Sequence, residues 1–286
     1  MKSFQDRQIE LTIQLGTGTF GESLGDTVTL SGLRIFADMV SPCGESMGAL
    51  QMRVYGLTQT MMNQLTVLPP FGQVSGATKI ILNAGNAGDA LTQIFKGSIW
   101  QAWADYSGAP EVAFNIVAYV GMDIKLKPVQ DSSFTGGTSV SSIMSGLAGK
   151  AGLEFIDSGV NVTLYNPIYS GSALDQIQSC AREANIYYKI ENDVLTIWPK
   201  DGYITSPEPT ISPASGMVGY PALSSQGLNV KTLFNPGVTM GGIVNIESSL
   251  QMATGKFQVL NLTHSISSLA PGGPWFSELL CFPLKK

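Results

Sequence analysis

Ile9, Leu11, Ile13 and Leu15 alternate with Gln8, Glu10, Thr12 and Gln14. A period of two puts one face in a core and the other in water, so this segment predicts a strand. Similar runs follow at 27–30, 33–39 and 50–57, the last with Leu50, Met52 and Val54 in alternation. Glycine-rich turns at 16–25 and 44–48 separate them. Strands at such short spacing, joined by glycine turns, predict a small barrel or sandwich. Residues 58–66 break the pattern: Met61, Met62 and Leu65 share one face of a short predicted helix, which Pro69 and Pro70 end. Strand patterns resume at 79–83, 89–95, 98–105 and 111–120, so residues 1–125 are expected to form one all-β domain.

The period changes after Asp131. Residues 131–138 read as a Ser/Thr/Gly linker, and two helical patterns follow. Val140, Ile143, Met144, Leu147, Ala148 and Ala151 recur at helical spacing, with Gly152 placed to stop the helix. Ser172 can cap a second helix with Asp175 three residues on, and Leu174, Ile177, Ala181 and Ala184 line its face. Strand-like segments follow each helix, at 153–156 and 160–165 and then at 186–190 and 194–198 around a Glu191-Asn192-Asp193 turn. Residues 126–201 therefore predict an α+β insert of two small helix–strand units. Pro199, Pro207, Pro209 and Pro213 mark an extended connector. Strand patterns at 230–234, 242–247, 256–264 and 275–282 fill the second β domain, 202–286. The expected class is a β-rich α+β fold, two small β-barrel domains with an α+β insert between them.

Composition adds a constraint. Of 286 residues only 13% are charged, against about 25% in ordinary globular chains, while 44% are hydrophobic. A net charge of −5 and a pI near 4.9 leave no basic footprint, so specific nucleic-acid binding is not expected. Residues 1–15 lack an apolar signal-peptide core, and no run of 18 apolar residues exists, so membrane insertion is not expected and the protein is expected to be intracellular when made. Cys43, Cys180 and Cys281 are odd in number and far apart, which argues for buried thiols over a disulfide framework or a zinc site. The shortage of charge is uneven. Residues 202–286 hold only Glu208, Lys231, Glu247, Lys256, Glu278, Lys285 and Lys286, where about twenty charges would be usual. Interface cores are depleted of charge, so this region is expected to be covered by a neighbour.

The catalytic motifs in the chain lack their structural context. Gly16-Thr17-Gly18-Thr19-Phe20-Gly21 matches G-x-G-x-x-G after a strand, but a strand pattern follows it where phosphate binding needs a helix N-terminus. Gly44-Glu45-Ser46-Met47-Gly48 matches the G-x-S-x-G nucleophile elbow, and His264 could serve Ser46 as base in a serine hydrolase. The strand pattern after Gly48 favours a hairpin turn. The segment 145–152 (SGLAGKAG) lacks the first P-loop glycine and has Ala151 after Lys150. No zinc-type spacing of histidines or cysteines occurs. Trp100 and Trp103 would carry sugar stacking in a carbohydrate-binding β module, the other alternative, or would simply pack. No catalytic residue, cofactor or metal is therefore expected. The apolar side chains picked out as interface candidates are Met61, Met62, Leu65, Phe71, Phe234 and Trp275.

One resemblance spans most of these segments. Phe234-Asn235-Pro236 through Gly241, Val244, Ile246 and Ser248 looks like a strand pair around an N-P-x-x-x-x-G turn. Gly255, Phe257, Val259, Leu262 and His264, then Trp275, Ser277, Leu279 and Cys281, follow a closing G-x-[FY]-x-V…H…W-x-[ST]-x-[LF]-x-C pattern. With the two helix–strand units and the strand, Phe95-Lys96-Gly97, strand, Asp105 segment, the chain resembles the baseplate hub proteins of contractile-tailed phages. That group includes the late-control protein D family, the Mu-like hubs and the type VI spike proteins. The resemblance implies a non-enzymatic homotrimer whose paired barrels form a ring of pseudo-sixfold symmetry, with the insert as its flared part. It implies contacts with the tail tube protein or its initiator, with the central spike protein and with other baseplate proteins. It also implies assembly in the bacterial host cytoplasm and a place in the virion tail.

Overall fold

Alternation along the first segment survives in space: Ile9, Leu11 and Ile13 are buried in β1 (Arg7–Gln14), and the residues between them face outward. The computed structural model describes residues 6–20, 25–44, 46–68 and 77–284. After β1 come β2 (Thr27–Leu30), β3 (Arg34–Pro42), β4 (Ala49–Tyr55), α1 (Gln59–Leu65), β5 (Lys79–Asn86), β6 (Thr92–Asp105), β7 (Ala113–Tyr119) and the one-turn α2 (Met122–Lys125). The middle holds β8 (Ser132–Ser133), β9 (Gly137–Ser139), α3 (Val140–Ala151), β10 (Glu154–Asp157), β11 (Thr163–Tyr165), β12 (Ile168–Tyr169), α4 (Ala173–Glu183), β13 (Ile186–Glu191) and β14 (Val194–Pro199). Then follow β15 (Thr210–Ile211), β16 (Ala222–Ser224), β17 (Gly227–Leu233), β18 (Ile243–Ile246), a 3-10 turn (Gln251–Ala253), β19 (Gly255–Ser268) and β20 (Trp275–Pro283). The protein is β-rich with few helices, and one large sheet dominates.

The chain forms two compact units, one of Met1–Val40, Gly48–Asp123 and Thr263–Phe276, the other of Ser41–Met47, Ile124–Leu262 and Ser277–Lys286. In the first unit the strands run β19-β3-β4-β7-β6-β5-β1-β2. Their inward residues Ile35, Leu50, Val54, Ile80, Leu82, Phe114 and Ile116 are fully buried, each stabilising by about 1.5–3 kcal/mol. The runs 89–95 and 98–105, read separately in the sequence, merge into one strand of 14 residues that begins at Thr92 and leaves 89–91 outside it. Its register shifts between Ile99 and Gln101, leaving Trp100 as the extra residue. That bulge lets both Ile99 and Ala102 point inward, which a plain period of two would not allow. Phe95-Lys96-Gly97 is therefore strand interior rather than a turn. A Cβ on Gly97 would lie 2.7 Å from the Tyr119 carbonyl oxygen, which explains the glycine.

In the second unit, α3 and α4 pack on the sheet β10-β14-β13 around Ile143, Met144, Leu147, Ile177, Cys180, Leu195 and Ile197. Both caps fall where the sequence puts them. Ser139 accepts from the Ser142 N–H, Gly152 ends α3 at φ 73°, and Ser172 with Asp175 closes a capping box on α4. Residues 131–138 are not a free linker: β8 pairs with β12 and β9 with β11. Strands of two or three Ser, Gly and Thr residues show no alternation, so backbone pairing alone reveals them. Within the connector at 199–213, β15 pairs in parallel with β18. A second core of this unit gathers Ile211, Leu228, Val230, Val244, Ile246, Val259 and Leu279.

Candidate protein interface

The interface candidates from the sequence occupy different environments. On α1, Met61 is half-buried, while Met62 and Leu65 are buried. Trp275 is also buried, with the Arg7 guanidinium 5.5 Å from its ring centre and donating to the Gly273 carbonyl at 2.9 Å. The apolar area of Met62, Leu65 and Trp275 is thus covered by their own chain. Phe234 is half-buried just after β17, and Phe71 lies outside the described residues. Sequence pattern marks residues that prefer apolar surroundings, but it does not separate a subunit's own core from a contact with another.

The charge-poor C-terminal region shows what that pattern missed. Of its seven charges, Lys285 and Lys286 lie outside the described residues. Four of the other five cancel in pairs, Lys231 with Glu278 at 2.8 Å and Lys256 with Glu208 at 2.6 Å. On β16, β17 and the segment leading into β16, Val218, Tyr220, Leu223 and Leu233 are exposed, Tyr220 by 77% and Leu223 by 58%. The Val218 N–H donates to the Lys231 carbonyl at 2.8 Å, which brings Val218 near Leu233 at the end of β17, while Leu223 faces the buried Leu228 across the β16–β17 pair, on the other side of the sheet. Phe282, 45% exposed, lies on β20, the other neighbour of β17. β16 ends the strand path, so its outer backbone edge is unpaired among the described residues. Exposed apolar side chains beside an unpaired strand edge, where most charges are already paired, are features that protein contacts use. The missing charge pointed to the region; which of its apolar residues stay exposed shows only in the fold.

No other arrangement of comparable chemistry emerges. Ser46 is exposed in the connection between the antiparallel strands β3 and β4, so a strand follows it where an elbow requires a helix. His264, on β19, is buried and already engaged in an interaction. Gly16-Thr17-Gly18 bends the chain from β1 towards its antiparallel partner β2, and 145–151 of the P-loop-like segment is the body of α3. Trp100 and Trp103 are half-buried on β6. Burial pushes the thiols up, Cys180 to about 11 and Cys43 and Cys281 to about 12, so all three are protonated near neutral pH. No cluster of three metal-ligating side chains occurs among the described residues. Nor is any helix among them long and apolar enough to cross a membrane.

Comparison with known proteins places this architecture. The chain has a TM-score of 0.63 to the Escherichia coli c3393 protein, a type VI secretion component similar in structure to the T4 bacteriophage tail proteins gp27 and gp5. Identity is 11% over 88% of this chain and 74% of that one. It has a TM-score of 0.62 to the 43 kDa tail protein of prophage MuSo2 from Shewanella oneidensis, at 8% identity over 99% of this chain and 100% of that one. A chain of the Francisella PdpA–VgrG complex gives 0.51, at 8% identity over 99% of this chain and 60% of that one. At such identities the likeness is one of fold. No curated protein sequence matches the chain. The family profile described as baseplate hub gp41 matches residues 9–271, nearly the whole length, and the chain belongs to that family.

Proposed function

We propose that three copies of this baseplate hub protein close into a ring that joins the sixfold tail tube to the threefold central spike and lines the channel between them. In this reading residues 1–125 and 202–286 supply two barrel-like domains per copy, and residues 126–201 form the flared part. The hub works mechanically, without catalysis, cofactor or metal. It is made in the host cytoplasm and ends in the virion baseplate, against the tube protein or its initiator, the spike and other baseplate proteins. The observation that carries the reading is the apolar surface left exposed on the C-terminal strands, at Val218, Tyr220, Leu223, Leu233 and Phe282, in a region whose charges are mostly paired. A head-to-tail contact through such a patch generates a ring when the rotation closes. Membership of the hub family and the shared fold with tail proteins and a VgrG complex support the same assembly.

Charge placed in the patch tests it. Leu223→Asp with Leu233→Asp puts two carboxylates where apolar area is to be desolvated, at a cost of several kcal/mol. Both side chains are at least half exposed in the single chain, so its fold is expected to persist. The double variant is expected to remain monomeric in light scattering where the parent chain is a trimer. A variant that assembles like the parent would sink the patch as the contact.

A further inference from the structure

The eleven methionines of the chain, apart from Met1, which lies outside the described residues, occupy three environments. Met39, Met52, Met62, Met122, Met144 and Met240 are buried, and Met47, Met61 and Met217 are half-buried. Met252 is 78% exposed, more than any other large apolar side chain among the described residues. Methionine is a flexible filler of core gaps, so one held in water stands apart from the rest.

That exposure is built into the turn joining β18 to β19. Ile246 and Gly255 make the last pair of the hairpin, and residues 247–254 close it. Thr254 Oγ1 accepts from the Ser248 N–H at 3.2 Å and donates to the Ser248 carbonyl at 2.8 Å. Ser248 Oγ in turn accepts from the Leu250 N–H at 3.2 Å. Within this clasp the Ala253 N–H donates to the Leu250 carbonyl at 2.9 Å and closes the 3-10 turn Gln251–Ala253. Ala253 is fully buried in the same core as Ile246 and Phe257. With Ala253 anchored inward, Leu250 and Met252 are left outward, and no residue from Ser248 to Thr254 carries a charge. Backbone geometry therefore holds the Met252 side chain in solvent.

We infer that Met252 is an oxidation site of this protein, taking one oxygen atom from a hydroperoxide to become methionine sulfoxide. The sulfur lone pair attacks one peroxide oxygen, and an S–O bond forms as the O–O bond breaks. Sulfur gives up two electrons; with hydrogen peroxide the departing oxygen takes the proton and leaves as water. The thiols compete poorly, because burial keeps all three protonated near neutral pH. A sulfoxide is polar and chiral, so the reaction turns the apolar tip of Leu250 and Met252 into a polar one and leaves the cores intact. Methionine sulfoxide reductases reverse it.

The test treats the purified full-length chain with dilute hydrogen peroxide and follows each methionine by peptide mass spectrometry. Met252 is expected to convert at least about tenfold faster than Met144 and Met240, and the first oxidation to leave the unfolding midpoint unchanged. Met252→Leu keeps the apolar volume, and its buried methionines are expected to oxidise at the parent's rate. In urea, where every methionine meets solvent, the rates are expected to converge. Conversion of Met252 no faster than Met144 and Met240 in the folded chain would overturn the site. A preference for Met252 that persists in urea would show that local sequence selects it, and would overturn the structural argument. A lowered unfolding midpoint after oxidation at Met252 alone would overturn the confinement of the change to the surface.

Discussion

Gly241→Ala probes the packing around a buried tryptophan in the second unit. Trp198 is fully buried there against Ile204 and Met240, with the Tyr187 ring centre 5.9 Å away. Gly241 sits beside it at φ +83°, its N–H donating to the Val259 carbonyl at 2.8 Å and its own carbonyl accepting from the Ile204 N–H at 3.0 Å. A Cβ at Gly241 would lie 2.7 Å from Trp198 Cζ2 and 3.1 Å from Cε2. Neither partner can yield easily, since the backbone is bonded on both sides and the indole is enclosed. The left-handed backbone costs a non-glycine residue about 1–2 kcal/mol. Overpacking a full core adds about 1–3 kcal/mol, and the stiffer unfolded chain returns about 0.5–1 kcal/mol. The expected loss is about 2–4 kcal/mol. Gly159→Ala is the control: it shares the unit and the backbone region, at φ +94°, but its Cβ would meet no atom within 4 Å. Only the backbone cost applies there, about 1 kcal/mol. Urea unfolding followed by tryptophan fluorescence reads both variants against the parent. Losses equal within error would refute the packing argument, because only the steric part separates the two sites.

Two further outcomes follow from the helices. Gly146 and Gly149 lie on the exposed side of α3, and an alanine methyl at either would meet no atom within 4 Å. Alanine at either position is expected to stabilise by about 1 kcal/mol in the same unfolding assay; a loss of stability would contradict it. At the start of α4 the Ser172 hydroxyl, first among its causes, holds the Asp175 carboxyl below the usual range. A depressed folded pKa gives stability that is present above the unfolded value of about 3.9 and lost as pH falls through the folded one. Ser172→Ala is therefore expected to cost about 1 kcal/mol at pH 7 and less below about pH 4. A cost that is constant down to pH 2 would exclude the proposed coupling.

Legibility in the sequence followed the length and periodicity of each element. β1, α3 and α4 were readable because Ile9 to Ile13 and Val140 to Ala151 bury one face of a regular element, and because Ser172 and Gly152 cap by local chemistry. β8, β9 and β12 were not, since a two-residue strand such as Ser132–Ser133 is defined by its partners Tyr169 and Ile168, far along the chain. The bulge at Trp100 was hidden for a related reason: one extra residue reverses the alternation, and a 14-residue strand reads as two. For the candidate interface, counting charges located the C-terminal region, yet the exposure of Tyr220, Leu223 and Phe282 is visible only once β16, β17 and β20 are paired. Met62, Leu65 and Trp275 show the converse, apolar side chains satisfied inside their own subunit.

The central claim is a hub ring of three copies, and its most direct test is the mass of the native particle combined with electron-microscopic class averages of the same sample. Three copies of the 30.4 kDa chain predict a particle of about 91 kDa with a central hole and threefold projections. A particle of about 30 kDa at every concentration, or a closed dimer without a hole, would contradict the account.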